Sequence, residues 1–281
     1  NAGCYPISSW IPDSYPEASY SGAVFLSAFT TKTAVYSILR GFPGTELLIY
    51  LGLIMIFYGI IYALLENDMR RILSYSIVNQ VGFMLVGAGI GTEMAINGAS
   101  SHAFAHILYK ALLLMSAGSV LYMTGRRNCT ELGGLFQSMP ITMICGVVGA
   151  FAISAFPFTS GFVTKSMISY AAADEHLFYV WLGLVAASAG VFLHAGIKFP
   201  WFVFFQKDSG LRPPDPPVNM RFAMILLSVL CLLIGIFPQY LYSILPYTVE
   251  YIPYTYSHVL FQLQFCVWNL TNIKVYNNQI T

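Results

Sequence analysis

Apolar runs of membrane-crossing length, separated by short polar joints, repeat along nearly the whole chain. A helix needs about 20 apolar residues to cross a bilayer. Runs of that order occupy 20–40, 45–65, 71–92, 95–122, 178–204 and 221–243, with a weaker one near 257–271. Two shorter runs, 139–156 and 160–176, meet at "SAFPFTSG" (154–161). All are predicted to be helices, because lipid offers the backbone no hydrogen-bond partner and a spanning segment must satisfy itself. A barrel would show short alternating strands instead, and this pattern lacks them.

Charges at the joints orient the helices, since Lys and Arg gather on the cytoplasmic side. Arg70 and Arg71 precede the third run and Arg126 and Arg127 follow the fourth, so the two pairs share a side. The joint at 205–220 carries Lys207 and Arg212, with Arg221 just beyond. It shares that side only if 139–176 crosses once, so the two short runs are expected to be halves of one discontinuous helix. The expected fold is all-α and polytopic, with about seven to eight transmembrane helices. Residues 1–19 are expected to be an extramembrane loop, 20–204 the main transmembrane domain, 205–220 a Pro-rich cytoplasmic loop, and 221–281 closing helices and tail.

Composition narrows the class further. Of 281 residues, 57% are hydrophobic and 9% charged, against about 25% charged in soluble domains. Such a chain cannot cover a water-facing surface. The net charge of +1 and the lack of a basic tract speak against nucleic acid as a partner. Cys4, Cys129, Cys145, Cys231 and Cys266 are scattered, which suggests neither a metal site nor a disulfide framework. No nucleotide-, flavin- or iron–sulfur-binding motif occurs, so no cofactor and no catalytic chemistry are expected in the chain itself.

Three lysines interrupt apolar runs: Lys32 in "LSAFTTKTAVYSILR", Lys110 in "SSHAFAHILYKALLLMSAGSV", and Lys165 in "SGFVTKSMISY". A lysine at the bilayer centre costs roughly 2.5–3.5 kcal/mol on insertion scales, so its presence there implies a use. His102, His106 and Lys110 are spaced four apart and therefore share one helix face. Imidazole and amine are groups that can both gain and lose a proton inside a protein. The five residues Lys32, His102, His106, Lys110 and Lys165 are thus the candidate proton-translocation site. A metal at His102 and His106 is set aside, because no Glu or Cys accompanies the pair. Lys198 is read as snorkelling to the interface, His194 as a hydrogen-bonded core histidine, and Arg40, Arg70 and Arg71 as topology markers.

Several stretches resemble one family, the antiporter-like proton-translocating membrane subunits shared by respiratory complex I and Mrp-type multisubunit cation/proton antiporters. They are "PISSWIPDSYPEAS", "TTKTAVYSILRGFPG", "YALLENDMRRILSYSIVNQVGFMLVGAGIGT", "HAFAHILYKALLLMSAGSVLYMTG", "ELGGLFQSMP" and "SAFPFTSGFVTKSMI". The likeness runs from residue 1 to about 265 and, within the family, points to the D-type component of the Mrp antiporters. The resemblance implies two inverted five-helix repeats, each with a broken helix, of which this chain would hold the C-terminal one. Lys110 and Lys165 would then be its exchange sites and Lys32 the link from the first repeat. The first repeat's membrane glutamate and its lysine have no counterpart in the sequence, which opens in mid-loop at Asn1 and is expected to be truncated there.

The function expected on this basis is a membrane subunit of a multisubunit cation (Na⁺)/proton antiporter. Its partners would be other membrane subunits, including the N-terminal half, together with protons and a monovalent cation. Its setting would be a bacterial inner membrane, or alternatively the mitochondrial one. The alternatives are the same fold within an NADH:quinone oxidoreductase, where redox energy would drive the protons, and a truncated non-conducting remnant.

Overall fold

A computed structural model of the chain describes residues 1–248 and 250–271, without the side chains of 265–271. The side chain of Cys266 and the tail read from the sequence beyond 271 lie outside what the structure describes. The main helices, in chain order, are α1 (Tyr20–Gly41), α2 (Leu47–Leu65), α3 (Met69–Ile90), α4 (Glu93–Thr124), α5 (Pro140–Ile153), α6 (Ser160–Asp174), α7 (Phe178–Phe205), α8 (Val218–Ile236) and α9 (Tyr256–Thr271). Of these, α1, α2, α3, α4, α7 and α8 are each long and apolar enough to cross a membrane. There is no strand among the described residues.

Helix α3 is the axis of the bundle, and its residues from Ile72 to Gly89 are buried. It starts where the Asp68 carboxylate accepts from Arg70 N (2.8 Å) and Arg71 N (3.4 Å), satisfying the free donors of the first turn. Small residues let α2 lie against it. A Cβ at Gly52 would stand 2.7 Å from Gly82 O, and one at Gly82 would stand 2.7 Å from Gly52 O. Such close contact is how helices associate where lipid removes the hydrophobic driving force.

The discontinuous helix expected over 139–176 is present as α5 and α6. Pro157 cannot donate a backbone hydrogen bond and disfavours helix at the residue before it. Ala155 and Phe158 adopt positive φ (57° and 66°) within the break. Gly161 then lets the two halves touch, for a Cβ there would run into Ala152 O. The sequence did not indicate the wide π-type turns inside two other helices, at Leu26–Thr30 in α1 and at Phe192–Lys198 and Trp201–Phe205 in α7.

Polar joints 66–71, 126–134 and 206–215 meet at one end of the bundle. Cys129 N donates to Asn67 O, Gln206 Nε2 to Cys129 O and Leu132 O, and Ser209 Oγ to Gly133 O. Asp215 in this end accepts from Ile141 N (3.2 Å), Thr142 N (3.1 Å) and Thr142 Oγ1 (2.8 Å), capping α5. Arg127 pairs with Glu17 (2.8 Å) and Asp68 (3.0 Å), and Arg71 with Glu66 (2.8 Å) and Asp13 (3.4 Å). The hydrogen bond and charge of Arg127 hold the exposed Glu17 carboxyl below its ordinary range. Burial alone would raise Glu66, but the N–H groups of Asn67 and Asp68 and the guanidinium of Arg71 bring it lower.

Some expectations change. The segment read as a loop before residue 20 contains short helical turns at Ile7–Ser9, Trp10–Ser14 and Tyr15–Glu17, because Ile11 and Tyr15 are apolar faces buried against α3. Arg70 is buried and donates to Pro16 O (2.6 Å) and Ala18 O (2.9 Å), so it clamps this segment as well as marking a side. The run 221–243 is divided, since α8 stops at Ile236 and a short helix follows from Pro238 to Tyr242.

Candidate functional site

The five sequence-predicted residues lie within the bundle. His102, His106 and Lys110 on α4 are fully buried, Lys165 on α6 is 2% exposed and Lys32 on α1 is 7% exposed. None pairs with a carboxylate among the described residues. The His102 and His106 rings stand 6.4 Å apart between centres, Thr164 next to Lys165 touches His102, Lys110 lies one turn beyond His106, and Lys32 stands on a helix packed against α4.

Each lysine is held differently. Lys32 follows the π-type turn of α1, where its Nζ donates to Ser27 O (2.7 Å) and Thr31 Oγ1 (3.1 Å). A wide turn leaves carbonyls such as that of Ser27 free for a side chain, which is why such turns recur at functional sites. Lys165 Nζ donates to Ile153 O (2.7 Å), a carbonyl at the C-terminal end of α5. That end carries the negative pole of the helix dipole. The ammonium also stands over the Phe83 ring, 4.9 Å from its centre, a cation–π contact. Lys110 Nζ has no hydrogen-bond partner among the described residues.

His102 is bonded on both sides. Its Nε2 lies 3.0 Å from Gln80 Oε1, and its Nδ1 lies 3.0 Å from Thr164 Oγ1. Tyr109 OH also donates to Gln80 Oε1 (3.1 Å), and Gln80 Nε2 donates to Asn79 Oδ1. Thr164 Oγ1 has a second choice, since Ser160 O (3.2 Å) and Gly161 O (3.3 Å) lie within its reach. When His102 is neutral, Nε2–H donates to Gln80 and Thr164 donates to Nδ1. When His102 is protonated, Nδ1–H donates to Thr164, whose hydroxyl turns to the backbone. Both protonation states are therefore satisfied by one hydroxyl rotation.

His106 leaves both ring nitrogens without a partner among the described residues, and Ser27 Oγ, Ser76 Oγ and His194 Nε2 are in the same position. Buried polar groups are ordinarily paired, so this cluster of unpaired atoms marks free hydrogen-bonding capacity within the bundle. The arrangement sets a row of exchangeable groups with unused hydrogen-bonding capacity through an apolar bundle. His194 behaves as expected on one side only, Nδ1 pairing with Gly190 O at 2.9 Å. Lys198 does not snorkel outward. Its Nζ caps the C-terminus of α2 through Ala63 O (3.2 Å), Leu64 O (2.6 Å) and Glu66 O. Open carbonyls at a helix end are stronger attractors for an ammonium than an interface several ångströms away.

Sequence reasoning did not pick out Gln80, Tyr109 and Thr164. The available signal was the polar pair Asn79-Gln80 inside an apolar run, "SIVNQVGF".

Residues 1–192 match the family model described as "NADH:quinone oxidoreductase/Mrp antiporter, TM". The chain is 35% identical over 238 residues to the D-type Na(+)/H(+) antiporter subunit of Alkalihalophilus pseudofirmus, covering 81% of this chain and 47% of that protein. It is 30% identical over 247 residues to the M-type NADH-quinone oxidoreductase subunit of Pseudomonas aeruginosa, covering 83% of this chain and 48% of that protein. The chain thus spans about half the length of these relatives. Its fold superposes on a chain of the Mrp complex from Dietzia sp. with a TM-score of 0.79 at 20% identity, over 85% of this chain and 55% of that one.

Proposed function

This chain belongs to the NADH:quinone oxidoreductase/Mrp antiporter family of transmembrane subunits, and on that footing we propose that it passes protons along Lys32, His102, His106, Lys110 and Lys165 within a multisubunit cation/proton antiporter. The observation carrying this reading is the buried stretch from His102 to Lys110. One histidine there is bonded so that either protonation state is satisfied, and the next histidine and lysine are buried with no hydrogen-bond partner among the described residues.

A proton reaching His106 through water can pass to His102, whose ring is 6.4 Å away, or to Lys110 one turn on. His102 accepts at Nδ1 as Thr164 turns away, and releases when Thr164 turns back. Lys165 is the next basic group, held at the break by a half-helix end. Unwound backbone at such breaks is where transporters place their ion sites. The bundle around the row excludes other solvent and fixes the groups, so the proton moves without side chains crossing the membrane.

Coupling to a monovalent cation, sodium in this reading, is supported by 35% identity to a subunit of a sodium antiporter and 31% to one of a probable potassium antiporter, beside 30% to a quinone oxidoreductase subunit. The partners in this reading are other membrane subunits of one complex, in an energised membrane such as the bacterial inner membrane. Its test is fluorescence quenching by a pH gradient in inverted vesicles carrying the native assembly. Sodium added after energisation should collapse the gradient. A gradient built by NADH oxidation through the assembly, indifferent to sodium, would replace the antiporter reading with a redox-driven pump.

A further inference from the structure

Helix α9 lies beyond residue 192, where the family match ends, yet it is docked on the break between α5 and α6. Gln262 Nε2 donates to Ser154 O (3.1 Å), the carbonyl next to the one that holds Lys165. The two neighbouring carbonyls at the end of α5 are thus divided, Ile153 O to a basic group of the row and Ser154 O to α9.

A cavity of about 260 Å³ lies between α6, α7 and α9. Lys165 lines it, as do Ser166, Ser169, Ser188, Gln262 and His258. It is wide enough for several waters, and its hydroxyls and amide give them partners. Lys165 and His258 are the basic groups on its wall. His258 stands in the first turn of α9, beside the Tyr251 ring at 6.4 Å between centres, and its Nδ1 is buried with no partner among the described residues. The side chain that the row uses last and a second proton acceptor thus face the same space, which lies toward the end of the bundle opposite the Arg70 and Arg127 joints.

We propose that α9 completes an outlet for this row: a proton leaves Lys165 through water in the cavity, is taken up by His258, and passes to the outer surface. The step breaks one N–H bond at Lys165 Nζ and forms one on the His258 imidazole through intervening water, so a single positive charge moves and nothing is oxidised or reduced. The inference rests on the proton reading above.

The experiment uses the native assembly in vesicles and compares His258→Phe, Lys165→Ala and Ser166→Cys. In His258→Phe the proton flux should fall about tenfold or more, with the assembly still co-purifying. Ser166→Cys, a change small enough to preserve packing, should be modified by a membrane-impermeant methanethiosulfonate added from one side only. Wild-type flux in His258→Phe and an unmodified Ser166→Cys, with Lys165→Ala inactive, would overturn the outlet and leave the row intact. Wild-type flux in Lys165→Ala would overturn the row and the outlet together.

Discussion

At the scale of residues, the account rests on groups that tolerate two protonation states. His102 does so because Thr164 offers a hydroxyl that either donates or accepts. Thr164→Val keeps the shape and removes that choice. Proton flux through the assembly should drop about tenfold without loss of assembled complex, as measured by gradient dissipation beside co-purification. Unchanged flux would mean that His102 does not exchange protons through this contact. The row itself was legible in the sequence, because three basic residues four apart inside an apolar run share one helix face. Its supports were not. Thr164 lies 62 residues from His102 and Gln80 lies 22 away, and no local periodicity reports contacts between helices. Lys198 departs from its sequence reading for a related reason, since its partners are carbonyls more than 130 residues earlier in the chain.

Among the elements, the broken helix is the part whose stability bears most on the site. Its first half, α5, opens with Pro140 and depends on Asp215, from the joint before α8, to satisfy its first donors. Asp215→Ala should destabilise the fold by about 1 kcal/mol, the usual cost of a lost helix cap. The check is the thermal midpoint of the solubilised assembly, and Asp215→Asn should recover most of the loss. The break could be read from "SAFPFTSG" because proline and glycine act locally. The π-type turns of α1 and α7 could not, since a wide turn leaves the run of apolar residues unbroken. Nor could the caps, which join segments far apart in sequence.

For the whole molecule, the two ends and the flanks behave differently. Exposed apolar side chains run along α2 (Leu47, Ile54, Phe57, Ile61) and α8 (Phe222, Ile225, Val229, Leu233), as expected of faces turned to lipid or to other subunits. The polar end is instead fastened by ion pairs from residues 13–17 to Arg71 and Arg127. Glu17 and Glu66 titrate below their ordinary range in the fold, so the stabilisation they give is present above the unfolded carboxylate value of about 4.3. It is lost as pH falls through their folded values. Amide protection factors over 10–19, taken relative to the intrinsic exchange rate at each pH, should fall as pH drops below the unfolded carboxylate value of about 4.3, and added salt should have the same sense, because these pairs are exposed. Protection that falls on raising the pH instead would contradict this assignment. Hydropathy and charge placed the helices and the break, whereas the packing around α3 depends on small residues whose partners sequence does not name. The central claim concerns Lys110, whose Nζ is buried without a partner among the described residues, and its measurement is proton flux by Lys110→Ala in inverted vesicles carrying the native assembly. Loss of flux with the assembly intact, and near-equal loss in Lys110→Arg because a guanidinium does not give up its proton, is the predicted result. Wild-type flux in Lys110→Ala would contradict the account.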